Sequence, residues 1–269
     1  MRSAPALFDL SGRTAVIAGG GGSLGNAMAV GFAQAGAQVV VVDVSLENAT
    51  RVADEINQFN GKAYAFGADL STESVVEKLF SQIDQISSID ILVNAISAPI
   101  NRYSPEEFPI EEWNTSISSD LTSYFLTSRA SAQRMIAAGN GGSIINFGSI
   151  AGVTALGRGS LAYSVAKGGI TQMTRECAFA WAQHNIRVNC ILPSQFINSG
   201  WTKFMDDPAH SALVNRVTSG IPLGRLGDPS EIVGPVLFLA SDAASMVTGV
   251  MLPVDGGNLA MNAGASIYW

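Results

Sequence analysis

Seven short apolar runs, at residues 14–18, 38–43, 63–66, 89–94, 143–147, 187–192 and 250–254, are separated by segments of helical period. Runs this short and this uniformly apolar suit strands covered by helices on both faces. Their alternation with helices implies βαβ units and a parallel sheet. The expected fold class is α/β, with one doubly wound parallel sheet. Open sheets of this kind often reach 269 residues as one unit, and no linker breaks the series, so a single domain over residues 1–269 is expected. One long irregular stretch, about residues 194–226, contains Gly200, Trp201, Pro208, Gly220 and Pro222. Long loops inside compact domains are usually functional, and this one is expected to be a substrate lid.

Composition narrows the function classes. Hydrophobic residues make up 47% and charged residues 14%, which argues for an ordered chain with part of its surface covered by other subunits. A net charge of −7, with 15 Lys and Arg spread along the chain, argues against a nucleic-acid partner. Cys177 and Cys190 form no metal-type pair, and His184 and His210 lack the spacing of a zinc site, so no metal is expected. Residues 1–10 hold no apolar stretch of signal-peptide length, and no run of 18 apolar residues occurs. A cytoplasmic protein without a membrane partner is the expectation.

Two constellations carry chemistry. The first apolar run leads into Gly19-Gly20-Gly21-Gly22-Ser23-Leu24-Gly25 and then a helical segment. Glycines let the backbone approach a pyrophosphate, which rests on the helix N-terminus where free N–H groups and the dipole favour negative charge. Asp43 ends the second run, 24 residues after Gly19, near the spacing of a carboxylate that binds ribose hydroxyls. Its charge would repel a 2′-phosphate, and neither Val44 nor Ser45 supplies a cation, so NAD is expected over NADP. The second constellation is Tyr163 and Lys167, with Ser149 fourteen positions upstream. Residues four apart on a helix share a face, so an ammonium can sit near a phenol and favour its ionised form. That arrangement suits proton transfer to or from an alcohol.

These motifs resemble the short-chain dehydrogenase/reductase family when taken with Ala68-Asp69-Leu70, Ile91-Leu92-Val93-Asn94, Arg225-Leu226-Gly227-Asp228-Pro229, Thr248-Gly249 and Asp255-Gly256-Gly257. The resemblance covers nearly the whole chain. It implies a seven-stranded Rossmann-type sheet, a nicotinamide cofactor, a small-molecule substrate and a homotetramer. By position, Tyr163 resembles the general acid/base, Lys167 the residue that lowers its pKa and holds the nicotinamide ribose, and Ser149 the hydroxyl that orients the substrate oxygen. Asp69 and Leu70 would flank adenine, Asn94 the adenosine ribose, and Pro193 with Phe196 the carboxamide. Asp69 as a helix cap and Asn94 as a tie between strands are the plainer alternatives.

The chain departs from the family pattern in five places. Ala18 stands where threonine is usual, Ser23 where the second glycine of the turn is expected, and Asn94-Ala95-Ile96-Ser97 and Pro193-Ser194 replace the family's Asn-Asn-Ala-Gly and Pro-Gly. Asp120 occupies the place of the fourth catalytic residue, normally asparagine. An ionised Asp120 beside Lys167 would offset part of the charge acting on Tyr163.

Arg102, Arg158 and Trp201 fall in the segments that border the substrate in this family, and they suggest a sugar, sugar acid or related sulfonated or carboxylated polyol. Surface or interface ion pairs are the alternative for both arginines. Sugar and sugar-acid dehydrogenases have the most similar turn and ending. The competing functions are a carbonyl or 3-oxoacyl reductase and a cofactor-binding regulator with little turnover. The apolar end, residues 258–269, is expected to pack on a neighbouring subunit.

Overall fold

The computed structural model describes residues 3–261. Its elements run β1 (Thr14–Ala18), α1 (Ser23–Gln34), β2 (Gln38–Asp43), α2 (Leu46–Gln58), β3 (Lys62–Gly67), α3 (Glu73–Ile83) and β4 (Ile91–Asn94) in the first half. The second half contains α4 (Ile110–Ile117), α5 (Ser123–Ala138), β5 (Gly142–Phe147), α6 (Leu161–Trp181), β6 (Ile186–Pro193), α7 (Ser199–Asp206), α8 (Ser211–Thr218), α9 (Val233–Ala240) and β7 (Met251–Val254). All seven strands are parallel, in the order β3-β2-β1-β4-β5-β6-β7.

Alternation within each strand divides the core between the two faces of the sheet. Ile17, Val39, Val41, Ile91 and Val93 pack with α1, α2 and α9 on one face. Val16, Val40, Val42 and Leu92 pack with α3 and α5 on the other. Each fully buried Val, Leu or Ile contributes about 1.5–3 kcal/mol relative to exposure, which explains why these strands read as unbroken apolar runs. Pro253 is accommodated in β7 because that strand lies at the edge of the sheet.

The strand order reverses at β1, which pairs with β2 on one side and β4 on the other. Crevices for ligands form at such a reversal, beyond the carboxyl ends of the strands. Ala18 is in register with Val42 and with Asn94, so the glycine turn, Asp43 and the segment after β4 meet at that crevice.

The stretch expected to be irregular instead forms α7 and α8. Asn198 caps α7, its side-chain oxygen accepting the N–H groups of Gly200 and Trp201 at 3.0 Å each. Trp201 packs edge-on against Phe204, with ring centroids 5.9 Å apart. Among the described residues no helix is long and apolar enough to cross a membrane. Of the end expected to pack on a neighbouring subunit, residues 258–269, the part from 262 to 269 lies outside the described residues.

Candidate active site

The glycine turn has the geometry of a dinucleotide cradle. A side-chain carbon on Gly25 would come within 2.2 Å of Gly19 O, so only glycine keeps α1 this close to β1. An α-helix leaves its first N–H groups without internal partners, and those of α1 begin at Ser23. The Asp43 carboxylate holds the turn in place. One oxygen accepts the Gly21 N–H at 3.0 Å, the other the Ser45 N–H at 3.0 Å. Arg51 Nη2 donates to Gly21 O at 3.2 Å, so α2 supplies the cation beside the turn that Val44 and Ser45 do not. Ser23 serves partly to tie the turn to the far side of the crevice, donating to Ile197 O at 3.3 Å. Gly19, Gly22, Leu24 and Asp43 thus gather at the turn that borders this crevice.

Other expected nucleotide contacts have structural duties. Asp69 accepts both the N–H and the hydroxyl of Ser71 in a turn ahead of α3, and it is not the expected helix cap, because α3 begins at Glu73 after Thr72. Leu70 is buried in the core. The Asn94 amide donates to Asn146 at 3.0 Å and Ser128 at 3.1 Å, and its oxygen accepts from Thr127 at 2.8 Å. Its side chain therefore ties β4 to β5 and α5, leaving the backbone at the strand end to border the crevice. Pro193 ends β6. Phe196 bridges to Gly227 and packs its ring there.

Ser149, Tyr163 and Lys167 converge at the carboxyl ends of β5 and β6. Ser149 follows β5 and caps a short turn, while Tyr163 and Lys167 occupy successive turns of α6. Burial raises the Tyr163 phenol above its ordinary value; the Ser149 hydroxyl works against that rise and the Asp120 charge adds to it. The net direction is upward even with the Lys167 ammonium close by. The ammonium lies over the ring, 5.7 Å from its centroid, with its protons directed elsewhere. They go to Phe147 O at 3.0 Å, the Tyr124 hydroxyl at 3.1 Å and Ile96 O at 3.3 Å. Burial lowers Lys167 to about 8, with Asp120 and Cys190 acting in the opposite direction.

Tyr124 escaped the sequence reading. It is fully buried, and its hydroxyl also lies 2.9 Å from Ile96 O and 3.1 Å from Phe147 O, to one of which it donates. The spacing of four from Asp120 to Tyr124 is the signal that could have found it.

Asp120 sits in a π-helical turn, Ser118–Thr122, that joins α4 to α5. Such turns displace a side chain from the regular helical path and are frequent at functional sites. The carboxylate is buried and accepts the Ala98 N–H at 3.1 Å. Burial pushes its pKa up, while Lys167, the Ala98 N–H and the Ser97 hydroxyl pull it down. The proximity to Lys167 expected from sequence is therefore present.

Arg102, Arg158 and Trp201 line one cavity of about 930 Å³, together with Arg216 from α8. Its walls come from the segments after β4, before α6 and after β6, the three expected to border substrate. Nothing in the spacing of α8 marked Arg216, since its turn toward the cavity depends on how α8 folds back.

Sheet order, glycine cradle and the Ser-Tyr-Lys cluster define a Rossmann-type oxidoreductase that uses a nicotinamide cofactor. The chain belongs to the short-chain dehydrogenase/reductase family: residues 19–258 match the sequence model described as enoyl-(acyl carrier protein) reductase. It is 35% identical over 254 residues to 2-dehydro-3-deoxy-D-gluconate 5-dehydrogenase of Escherichia coli, covering 94% of this chain and 98% of that one. It is 34% identical to the NAD-dependent glycerol dehydrogenase of Listeria innocua, covering 93% and 95%. The crystal structure of a gluconate 5-dehydrogenase from Burkholderia cenocepacia, in complex with NADP and tartrate, superposes with a TM-score of 0.89. That protein is 30% identical, with coverage of 97% of this chain and 100% of the other.

Proposed function

We propose that the protein oxidises a secondary or anomeric alcohol of a sugar, sugar acid or related polyol, using NAD. The observation that carries this is the convergence of Ser149, Tyr163 and Lys167 next to a cradle whose second strand ends in Asp43. When bound, the nicotinamide supplies the hydride acceptor. Ser149 orients the substrate hydroxyl by hydrogen bonding, and Tyr163 takes its proton as the hydride leaves the carbinol carbon. Lys167 supplies a positive charge beside the phenol, and it would hold the ribose by exchanging one of its present acceptors. Asp120 sets how much of that charge Tyr163 feels. Asp43 receives the ribose hydroxyls and disfavours a 2′-phosphate, while Arg102, Arg158 and Trp201 border the substrate. The names of the relatives support the polyol class, and exposed Phe125 and Phe179, on α5 and α6, support assembly into a homotetramer.

The test is absorbance at 340 nm with NAD and with NADP across a panel of sugars, polyols and sugar acids. Turnover of a panel member with a preference for NAD is expected, and it should vanish in Tyr163→Phe. Turnover of acyl thioester carbonyls alone, with NADPH, would replace this proposal by that of a reductase.

A further inference from the structure

Three guanidinium groups meet in the cavity of about 930 Å³ without a counter-charge. Arg102 comes from the segment after β4, Arg158 from the loop before α6, and Arg216 from α8. No aspartate or glutamate lines this cavity. Among the described residues none of the three has an ion pair, whereas Arg13, Arg129, Arg134 and Arg225 are each paired, with Asp242, Glu73, Asp84 and Glu231. The three charges are close enough to matter to one another. Arg158 is held below the ordinary arginine range, first by burial and then by Arg102 and Arg216. Like charges gathered in a concave, partly desolvated space raise each other's energy until an anion enters.

The loops that carry two of these arginines are tied together. The Tyr103 N–H donates to Gly159 O at 3.0 Å, which fixes the neighbours Arg102 and Arg158 relative to each other. Gly159 permits this approach: its φ is +71°, and a side-chain carbon there would come within 3.0 Å of Tyr103 O. The arginine pair is therefore built into the scaffold, and α8 brings the third.

The number of forks indicates the kind of anion. A carboxylate has a single O–O edge and so takes one fork-to-fork guanidinium contact. A tetrahedral XO3 group has three such edges, one for each of three forks. Neither Ser149 nor Tyr163 lines this cavity, so the anionic group lies away from the carbon that reacts.

We propose that Arg102, Arg158 and Arg216 bind a tetrahedral XO3 group, phosphoryl or sulfonyl, at the end of the sugar substrate remote from the carbinol undergoing oxidation. This proposal rests on the reading of the chain as a sugar dehydrogenase and adds the charge class of its substrate.

The test compares D-glucose, D-glucuronate, D-glucose 6-phosphate and the corresponding 6-sulfonate, in wild type, Arg158→Ala and Arg216→Ala. Turnover is followed at 340 nm and binding by calorimetry. The phosphate or the sulfonate is expected to exceed glucose in kcat/KM by at least about 10-fold, the value of one charge-assisted contact, and glucuronate to fall between. Each alanine variant should remove that preference, read as the ratio of kcat/KM for the XO3 compound to that for glucose. The better of the two XO3 compounds identifies the group. Equal kcat/KM for glucose and both XO3 compounds, unchanged in the variants, would overturn the site. If no compound is oxidised, the dehydrogenase reading for this sugar skeleton fails. Calorimetry still decides the site in that case, since arginine-dependent binding of the 6-phosphate or 6-sulfonate supports it and its absence refutes it.

Discussion

Lys167 Nζ donates to the Tyr124 hydroxyl at 3.1 Å from within a fully enclosed pocket, with its other protons on two backbone carbonyls. All three donors are satisfied, yet the ammonium has lost its water, and its pKa falls to about 8. An unfolded chain keeps that proton to about pH 10.4, so between about pH 8 and 10 the unfolded state binds more protons than the folded one. Stability from this group is therefore present at alkaline pH and lost as pH falls through about 8, with a total on the order of 2–3 kcal/mol. Melting of the cofactor-free protein should show it. The Tm of wild type minus that of Lys167→Met is expected to rise by several degrees from about pH 7 to about pH 10, given roughly 2–4 °C per kcal/mol. Buried Tyr163 and Tyr124 are common to both proteins and cancel. A difference that stays flat with pH would mean that the lysine is far better solvated than its surroundings indicate.

Asp43 and Arg51 act on the same turn with opposite charge, one accepting from Gly21 N–H and the other donating to Gly21 O. Replacing Asp43 by Ser removes the repulsion of a 2′-phosphate and leaves Arg51 to attract it. The ratio of kcat/KM for NADP to that for NAD should rise at least about 10-fold, since a charge pair at this depth is worth a few kcal/mol at most. Adding Arg51→Ala should reverse most of the gain. Introducing Arg at Ser45 is a poorer route, because the Ser45 hydroxyl caps α2 by accepting the Asn48 N–H, and loss of a cap costs about 1 kcal/mol. An unaltered ratio in Asp43→Ser would remove Asp43 from cofactor selection.

Gly25 and Gly22 separate two reasons for glycine in one turn. A side-chain carbon on Gly25 would lie 2.2 Å from Gly19 O, a clash with backbone that only a shift of α1 relieves. One on Gly22 would meet nothing nearer than Gly19 O at 3.7 Å. Gly25→Ala is expected to lower Tm and to weaken NADH binding at least about 10-fold, the cost of misplacing several phosphate-facing N–H groups. Gly22→Ala should leave Tm within about 1 °C, consistent with a near-neutral surface substitution. Any loss of NADH affinity in Gly22→Ala then reports contact with the nucleotide alone. Fluorescence titration beside thermal melting distinguishes these outcomes.

Local pattern revealed much of this molecule and contact geometry little of it. The strands were legible because burial on both faces leaves an unbroken apolar run such as residues 39–42. The cradle was legible because Gly25 has no substitute at 2.2 Å from a carbonyl. The pairing of Tyr163 with Lys167 followed from helical spacing, but its electrostatic consequence did not. Spacing places two side chains on a face without revealing which acceptors a buried ammonium will choose, and those belong to Ile96, Tyr124 and Phe147, from distant segments. The helices α7 and α8 were read as loop because each is eight residues long, too short for a clear period. Arg216 was lost with them.

Asp120 supplies the clearest test of how the site sets its working pH. Its carboxylate accepts the Ala98 N–H at 3.1 Å, a bond that an asparagine oxygen can also accept, so Asp120→Asn should retain the fold of the π-helical turn. What changes is charge. Asp120 raises both the Tyr163 phenol and the Lys167 ammonium, so its neutralisation lowers both. Alcohol oxidation needs ionised Tyr163, and the acid limb of log kcat/KM against pH therefore moves to lower pH. The alkaline limb moves the same way if loss of the Lys167 proton sets it. The displacement is expected to be modest, since Asp120 is not the largest influence on either group. A merely structural Asp120 would lower the height of the profile and leave both limbs in place. Profiles of wild type and Asp120→Asn on the same substrate separate the two cases, and a fixed acid limb would show that the tyrosine does not feel this carboxylate.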